Sequence, residues 1–290
     1  MIEGKAYAKI NLTLDVTGVL ENGYHTISSV MQTISLCDEI SVEKNSAGKI
    51  RLFSDGGKFA DGMPLDEKNT CHKAASVFLE HIGASDGVDI HITKNIPSQA
   101  GLGGGSSDAA TVLRLLNRLF DANLSYEELR ALGAEIGADV PFLVTGGCAL
   151  CEGIGDVLTP IEKGLSDYVL VMKPHDVWVS TPEAYRLFDE KKLPYGNSSA
   201  AMVSKLLSGE RVCGLLSNDL EKAVANPEIS GLKKEMVRMG MHDSLMTGSG
   251  SCVYSICDYD RLAKHVGRMC REYQNIGVYE PVSSEEVTVS

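Results

Sequence analysis

Four of the five consecutive residues 101–105 are glycine, within the run PSQAGLGGGSS that spans residues 97–107. Glycine in ordered structure is less favourable than alanine by roughly 0.5 to 1 kcal/mol, so such a cluster calls for a reason, and close approach of a ligand to bare backbone is one. Ser106 and Ser107 add two hydroxyls at the end of the run. Backbone N–H groups, hydroxyls and the positive end of a following helix would converge on one point, which suits a polyphosphate. The run is neither G-x-x-x-x-G-K-[ST], absent from the chain, nor the dinucleotide fingerprint G-x-G-x-x-G. The alternative is a flexible turn, against which the flanking elements speak. A second small-residue run, TGSGS at 247–251, could close on the same phosphates, brace the first loop, or form only a tight turn.

These groups need elements to hold them. Along residues 8–16, Ile10, Leu12, Leu14 and Val16 alternate with Lys9, Asn11, Thr13 and Asp15. That is the period of a half-buried strand, and it puts Lys9 and Asn11 on one polar face. Asn22-Gly23 reads as a tight turn with Tyr24 and His25 at its exit, and 27–36 and 40–43 read as further antiparallel strands. Residues 69–81 carry a helical pattern. Residues 88–94 alternate, with Val88, Ile90 and Ile92 inward and Asp89, His91 and Thr93 outward. Behind the glycine run, Ala109, Val112, Leu113, Leu116 and Phe120 mark a helix that should start near residues 106–108. The order is strand, loop, helix.

Ser125 and Glu128 form a capping-box pattern and Gly137 suits a helix C-cap, so 126–136 should be helical. Pro141 biases Val140 toward an extended conformation, which would display Asp139 on a stiff connection. After Gly164 a strand is expected at 168–172, and Thr181-Pro182 opens a helix. Helices at 198–207, 220–225 and 229–239, a strand at 252–256, a helix at 261–273 and a strand near Val278 complete the pattern. The boundary between two units falls after residue 163.

At 290 residues the chain is long enough for two domains at roughly 150 residues each. Apolar residues make up 43% and charged ones 23%, the mix of an ordinary folded protein. The net charge of −12, with no basic patch, repels a phosphate backbone and argues against a nucleic-acid partner. Any bound anion must be held by backbone N–H groups, a helix N-terminus or a few placed lysines. The start MIEGKAYAKI lacks the apolar core of a signal peptide and no apolar run is long enough to span a bilayer, so no membrane partner and a cytoplasmic place are expected. Eight cysteines suit a reducing compartment. The pair Cys148 and Cys151 has C-x-x-C spacing but no second pair or nearby histidine, and reads as two small core residues.

Three segments together, AYAKINLTLDV at 6–16, IPSQAGLGGGSSDAA at 96–110 and LMTGSGSCVYSIC at 245–257, resemble the three motifs of the GHMP kinases, in order. More narrowly, residues 8–34 and GADVPFLVTGGCALCEGIGDVLTPI at 137–161 resemble the branch of that family acting on a cytidine diphosphate-linked methylerythritol. The likeness covers nearly the whole chain, more loosely at 176–211. It implies an α+β fold, with an N-terminal mixed, partly antiparallel α/β domain at 1–163, a smaller α+β domain at 164–290 and the active site in the cleft between them. It implies ATP lying against Pro97, Ser98, Gln99, Ala100, Gly101, Leu102, Gly103, Gly104, Gly105, Ser106 and Ser107, with Lys94 helping to hold the nucleotide. By the same resemblance Asp139 is the catalytic base and Lys9 its partner, while Asn11, Tyr24, His25 and Thr181 contact the small-molecule substrate, Tyr24 and His25 near its cytosine. Mg²⁺ is expected with ATP, with Ser106, Ser107 and Asp108 as candidate ligands by position. The segment NTCHKAA at 69–75 departs from the family's more apolar stretch. Phosphoryl transfer needs a positioned hydroxyl, a carboxylate to take its proton and cations to offset charge, and these residues supply them. The competing readings are another small-molecule kinase of the family, for mevalonate, homoserine or a sugar, and a nucleotide-binding sensor without catalysis. Intact Lys9 and Asp139 speak against the sensor.

Overall fold

The computed structural model describes residues 1–174, 177–212, 214–241, 243–258 and 276–289. Its spine is β3 (His25–Asn45), one strand of 21 residues where the apolar pattern predicts two. The interruption at residues 37–39 does not break it, because Asp38 is itself internal: Oδ1 accepts from the backbone N–H of Asn95 at 2.5 Å and of Ile96 at 2.7 Å. Around β3 run β1 (Ile2–Asn11), β2 (Thr13–Val19), β5 (Gly87–Thr93) and β6 (Cys148–Glu152), all antiparallel to it. β4 (Ile50–Ser54) joins β5 in parallel, β7 (Val157–Pro160) joins β6, and β9 (Ser217–Asn218) joins β2 in parallel. A second, antiparallel sheet has the order β10 (Ser244–Met246), β11 (Val253–Cys257), β8 (Tyr168–Met172), β12 (Ile276–Tyr279).

On one face of the large sheet lie α1 (Thr70–His81), α2 (Gly104–Leu119), α3 (Tyr126–Ala134) and α4 (Val140–Thr145), with Phe78, Leu113, Leu116, Leu129 and Phe142 in a shared core with Ile90 and Ile92. The other face, carrying Ala8, Ile10 and Leu12, packs on Val169, Val171 and Tyr254 of the small sheet. Residues 8–16 are therefore buried on both faces, not half-buried as the alternation predicts. Lys9, Asn11, Thr13 and Asp15 form a polar layer inside the molecule, and the strand is divided at Leu12. The remaining helices are α5 (Thr181–Glu190), α6 (Ser199–Ser208), α7 (Asp219–Val224), α8 (Pro227–Arg238) and α9 (Ser284–Val289). The expected helix at 261–273 lies outside the described residues. Past β12 the chain returns to β3, where the N–H of Val282 donates to the carbonyl of Thr33 at 2.9 Å.

Among the described residues no helix is long and apolar enough to cross a membrane. Cys148 and Cys151 are buried free thiols of β6, Cys148 pushed up to about 12 by burial, which agrees with two core residues. Among the described residues no group of three or more metal-ligating side chains occurs.

Candidate active site

The glycine run connects β5 to α2, as its flanking patterns require. Ala100 and Leu102 are buried and anchor it, while Ser98 and Gln99 stand exposed at its tip. Pro97 is buried behind them. Gly101 and Gly103 both have positive φ, +75° and +70°, which favours glycine. At Gly101 a side chain is also excluded by space, because a Cβ there would overlap the carbonyl of Thr247. α2 begins at Gly104, two residues before the stretch the serines suggest, with Gly103 as its N-cap and no side chain capping it. Its first N–H groups, at Gly104, Gly105 and Ser106, are thus left for an anion, where the helix dipole favours one. Ser107 is not part of that cradle, since its hydroxyl donates to the carbonyl of Tyr7 at 2.7 Å and ties α2 to β1. Ser106 is half-buried and keeps the more accessible hydroxyl.

The second run, 247–251, braces the first. The Thr247 hydroxyl donates to the carbonyl of Gly101 at 3.2 Å and receives the N–H of Asn11 at 3.1 Å, while the N–H of Cys252 donates to the carbonyl of Ala100. Asn218 holds the far side, its amide donating to the carbonyls of Met246 and Gly248 at 2.7 and 2.8 Å.

Lys94, which the resemblance has helping to hold the nucleotide, has its ammonium occupied by two carboxylates in this structure. Its ammonium is buried between Asp38 and Asp108, 2.6 Å from Asp108 Oδ2, beneath the first turn of α2, where a Cβ on Gly104 would come within 3.2 Å of it. Burial alone would lower its pKa, but Asp108 and Asp38 outweigh that and hold it above the usual lysine value. One lysine cannot neutralise two carboxylates: burial and the neighbouring Asp38 hold the Asp108 carboxyl well above the usual range, against the pull of Lys94. Asp108 Oδ1 has no hydrogen-bond partner among the described residues. Asp108 thus engages Lys94 through Oδ2 inside the molecule.

Lys9 and Asp139 meet beside the loop, the Lys9 side chain packing against Gly103. Lys9, on β1, is 4% exposed; its Nζ lies 2.7 Å from Asn11 Oδ1 and 3.4 Å from Asp139 Oδ2. Asn11 also donates to the Ser29 hydroxyl at 2.8 Å, so in this structure its side chain is occupied in holding Lys9 rather than open to a substrate. Asp139 is the N-cap residue of α4, 32% exposed, and its carboxylate makes no capping bond. The extended Val140 predicted from Pro141 is not found. Val140 is the first residue of α4, and Pro141 sits in the first turn, where a missing N–H is tolerated. Arg114 of α2 fixes α4 from below, donating to the carbonyl of Leu143 at 3.1 Å. α3 has the predicted capping box of Ser125 and Glu128 and ends at Ala134, short of Gly137.

The remaining wall comes from α5. His25 stacks on Tyr185 with centroids 4.5 Å apart, and its Nε2 lies 2.9 Å from Asp189 Oδ1. Burial, and then the charge of Asp139, push the Tyr185 hydroxyl above its usual pKa. Tyr24 is 63% exposed. Thr181, at the start of α5, is exposed and pairs its hydroxyl with Ser249 at 3.0 Å, joining α5 to the second glycine run. Sequence reasoning passed over Tyr185, Asp189, Arg114 and Asn218, whereas bracing was among the readings given for the run at 247–251. The signal for the first two was present, since Tyr185, Phe188 and Asp189 share one face of a predicted helix.

Residues 69–147 match the family GHMP kinases N terminal domain, and residues 206–275 match GHMP kinases C terminal. A 4-diphosphocytidyl-2-C-methyl-D-erythritol kinase of Clostridium beijerinckii is 41% identical over 88% of this chain and 90% of its own length. One of Caldicellulosiruptor saccharolyticus is 44% identical over 87% of each. A crystal structure of 4-(cytidine 5'-diphospho)-2C-methyl-D-erythritol kinase superposes with a TM-score of 0.79 at 32% identity, covering 97% of this chain and 99% of that one.

Proposed function

The chain belongs to the GHMP kinases, and we propose that it transfers the terminal phosphoryl group of ATP to the 2-hydroxyl of 4-diphosphocytidyl-2-C-methyl-D-erythritol, a step of non-mevalonate isoprenoid synthesis. The observation that carries the chemistry is the Lys9–Asp139 pair, 3.4 Å apart, lying below an uncapped helix N-terminus. The choice of acceptor rests on the relatives' identities, with His25, held against Tyr185 and Asp189, as the group nearest the expected base.

In this reading the N–H groups of Gly104, Gly105 and Ser106 receive the phosphates, on backbone that glycine leaves open to close approach. The Asp139 carboxylate takes the proton of the acceptor hydroxyl as its oxygen bonds to that phosphorus and the bond to the bridging oxygen of ADP breaks. The Lys9 ammonium offsets charge on the transferring group, and Asn11 keeps it aimed. A magnesium ion would neutralise the phosphates it arrives with, and the Ser106 hydroxyl is the side-chain ligand that fits it best. We place the division between the two units after residue 163, between β7 and β8, with Lys9 and Asp139 on one side and Tyr185 and the 247–251 run on the other. We also propose a cytoplasmic place for the chain, which an ATP-dependent reaction of a polar small molecule supports.

ADP release measured with a panel of alcohols tests the reading. Turnover with the cytidyl compound and none with mevalonate, homoserine or sugars is expected. Turnover with one of those and none with the cytidyl compound would leave a kinase of another substrate. ATP binding without turnover of any alcohol would favour a sensor.

A further inference from the structure

Three residues on one face of α5 enclose His25. Tyr185 stacks on its ring at 4.5 Å, Phe188 meets its edge with centroids 6.4 Å apart, and Asp189 Oδ1 lies 2.9 Å from Nε2. An ionised carboxylate can only accept, so Nε2 carries the proton and, in the neutral ring, Nδ1 is left with a lone pair. Nδ1 has no hydrogen-bond partner among the described residues, although the side chain is only 8% exposed. A ring this enclosed with one nitrogen spoken for is set to read a donor.

We propose that Asp189 is a specificity-setting positioning residue: by holding His25 in its Nε2–H tautomer, it presents Nδ1 as an acceptor that selects a base bearing an exocyclic amine against its keto counterpart. This rests on the function proposed above, in which the substrate carries a cytidine. Cytosine offers an amine at C4 that can donate to Nδ1, whereas uracil offers a carbonyl there, so two acceptors would face each other. Discrimination of this kind comes from the unpaired polar group in the wrong complex rather than from added contact in the right one. Asp189 reaches the base only through His25, and the charge of the carboxylate is less important to the effect than its inability to donate.

The test compares kcat/KM for the cytidyl substrate and its uridine counterpart in wild type, Asp189→Asn and Asp189→Glu, together with ¹⁵N NMR of His25 in the free protein. Asparagine can donate to Nε2 and so admits the other tautomer. The cytidine-over-uridine ratio is expected to fall roughly tenfold in D189N, with KM for the cytidyl substrate raised more than kcat is lowered, and to recover in D189E. The ¹⁵N shifts should report Nε2–H in wild type and a mixture in D189N. An unchanged ratio in D189N, as a merely structural role would give by weakening both substrates alike, overturns the inference, as does an Nδ1–H tautomer in wild type. Wild type that turns over neither nucleoside compound, yet phosphorylates another alcohol, overturns the proposed function and this inference with it. Normal cytidyl turnover with an unchanged ratio overturns this inference alone.

Discussion

Asp139 and Lys9 are the residues on which the chemistry depends, and each can be tested by itself. Asp139→Asn removes the proton acceptor while keeping the shape, so kcat at saturation should fall by about 10² to 10⁴-fold while ATP binding, read by titration calorimetry, persists. Retained turnover would show that another group takes the proton. Lys94 is different in kind. Removing the cation from between Asp38 and Asp108 leaves two buried carboxylates, so Lys94→Met should destabilise the fold by about 3 to 5 kcal/mol in denaturant unfolding. Asp108 adds a pH signature. Its folded-state pKa is raised, so the unfolded chain releases that proton first, and the folded state loses stability as pH rises from the ordinary carboxylate range through the raised value. Asp108→Asn should therefore show a flatter stability profile above about pH 4 than wild type, and a wild type that gains stability relative to the variant there would contradict the assignment. Lys9 and Asp139 could be singled out in the sequence once their motifs were combined, but the burial of Lys9 and the engagement of Lys94 could not. Both depend on partners distant in the chain: Thr247 and Tyr254 cover the layer of Lys9, and Asp38 lies 56 residues from Lys94.

At the scale of elements, the strand, loop and helix that cradle the phosphates were legible because alternation, glycine clustering and helical spacing are local signals. The exact start of α2 was not, since serine and aspartate advertise a cap that the chain does not use; the left-handed Gly103 caps instead and leaves the first turn free. The single strand β3 and the short helix α4 were missed for a related reason. Asp38 interrupts an apolar run yet is buried on backbone donors, and six residues opened by Val140-Pro141 give too little periodicity to read. The bracing of one glycine run by the other yields a prediction of its own. Gly101→Ala must relieve an overlap with the Thr247 carbonyl at positive φ, so it should raise KM for ATP and cost about 1 to 3 kcal/mol of stability. Thr247→Val, which strips the hydroxyl bonded to Gly101 and Asn11, should reproduce the KM effect at a similar stability loss. If neither variant alters ATP kinetics, the second run is a spectator to the first.

At the scale of the whole molecule, the site draws on both halves of the chain, with Lys9 turned to the helical side of the large sheet. β1 brings Lys9, α4 brings Asp139, α2 brings the phosphate cradle, and the second half of the chain brings the run at 247–251, which braces the loop and is joined to α5 through Thr181. Composition and charge limited the class of partner, and the three motifs in order pointed to the family, but how the halves share a core was not written locally: Leu14, Val16 and Ile27 are buried with Phe188, Leu220 and Met246. The acceptor is likewise read from the whole chain rather than from any one residue. Its chemistry offers a direct test, because C2 of a 2-C-methyl erythritol bears no hydrogen. Purified protein, ATP, Mg²⁺ and 4-diphosphocytidyl-2-C-methyl-D-erythritol should give, by ³¹P NMR, one new phosphomonoester signal unsplit by a carbinol proton, with the diphosphate signals retained and ADP formed in equal amount. A monoester split by protons on its own carbon would place the phosphate on another hydroxyl, and the absence of any new ester while ATP is consumed would contradict the proposed transfer.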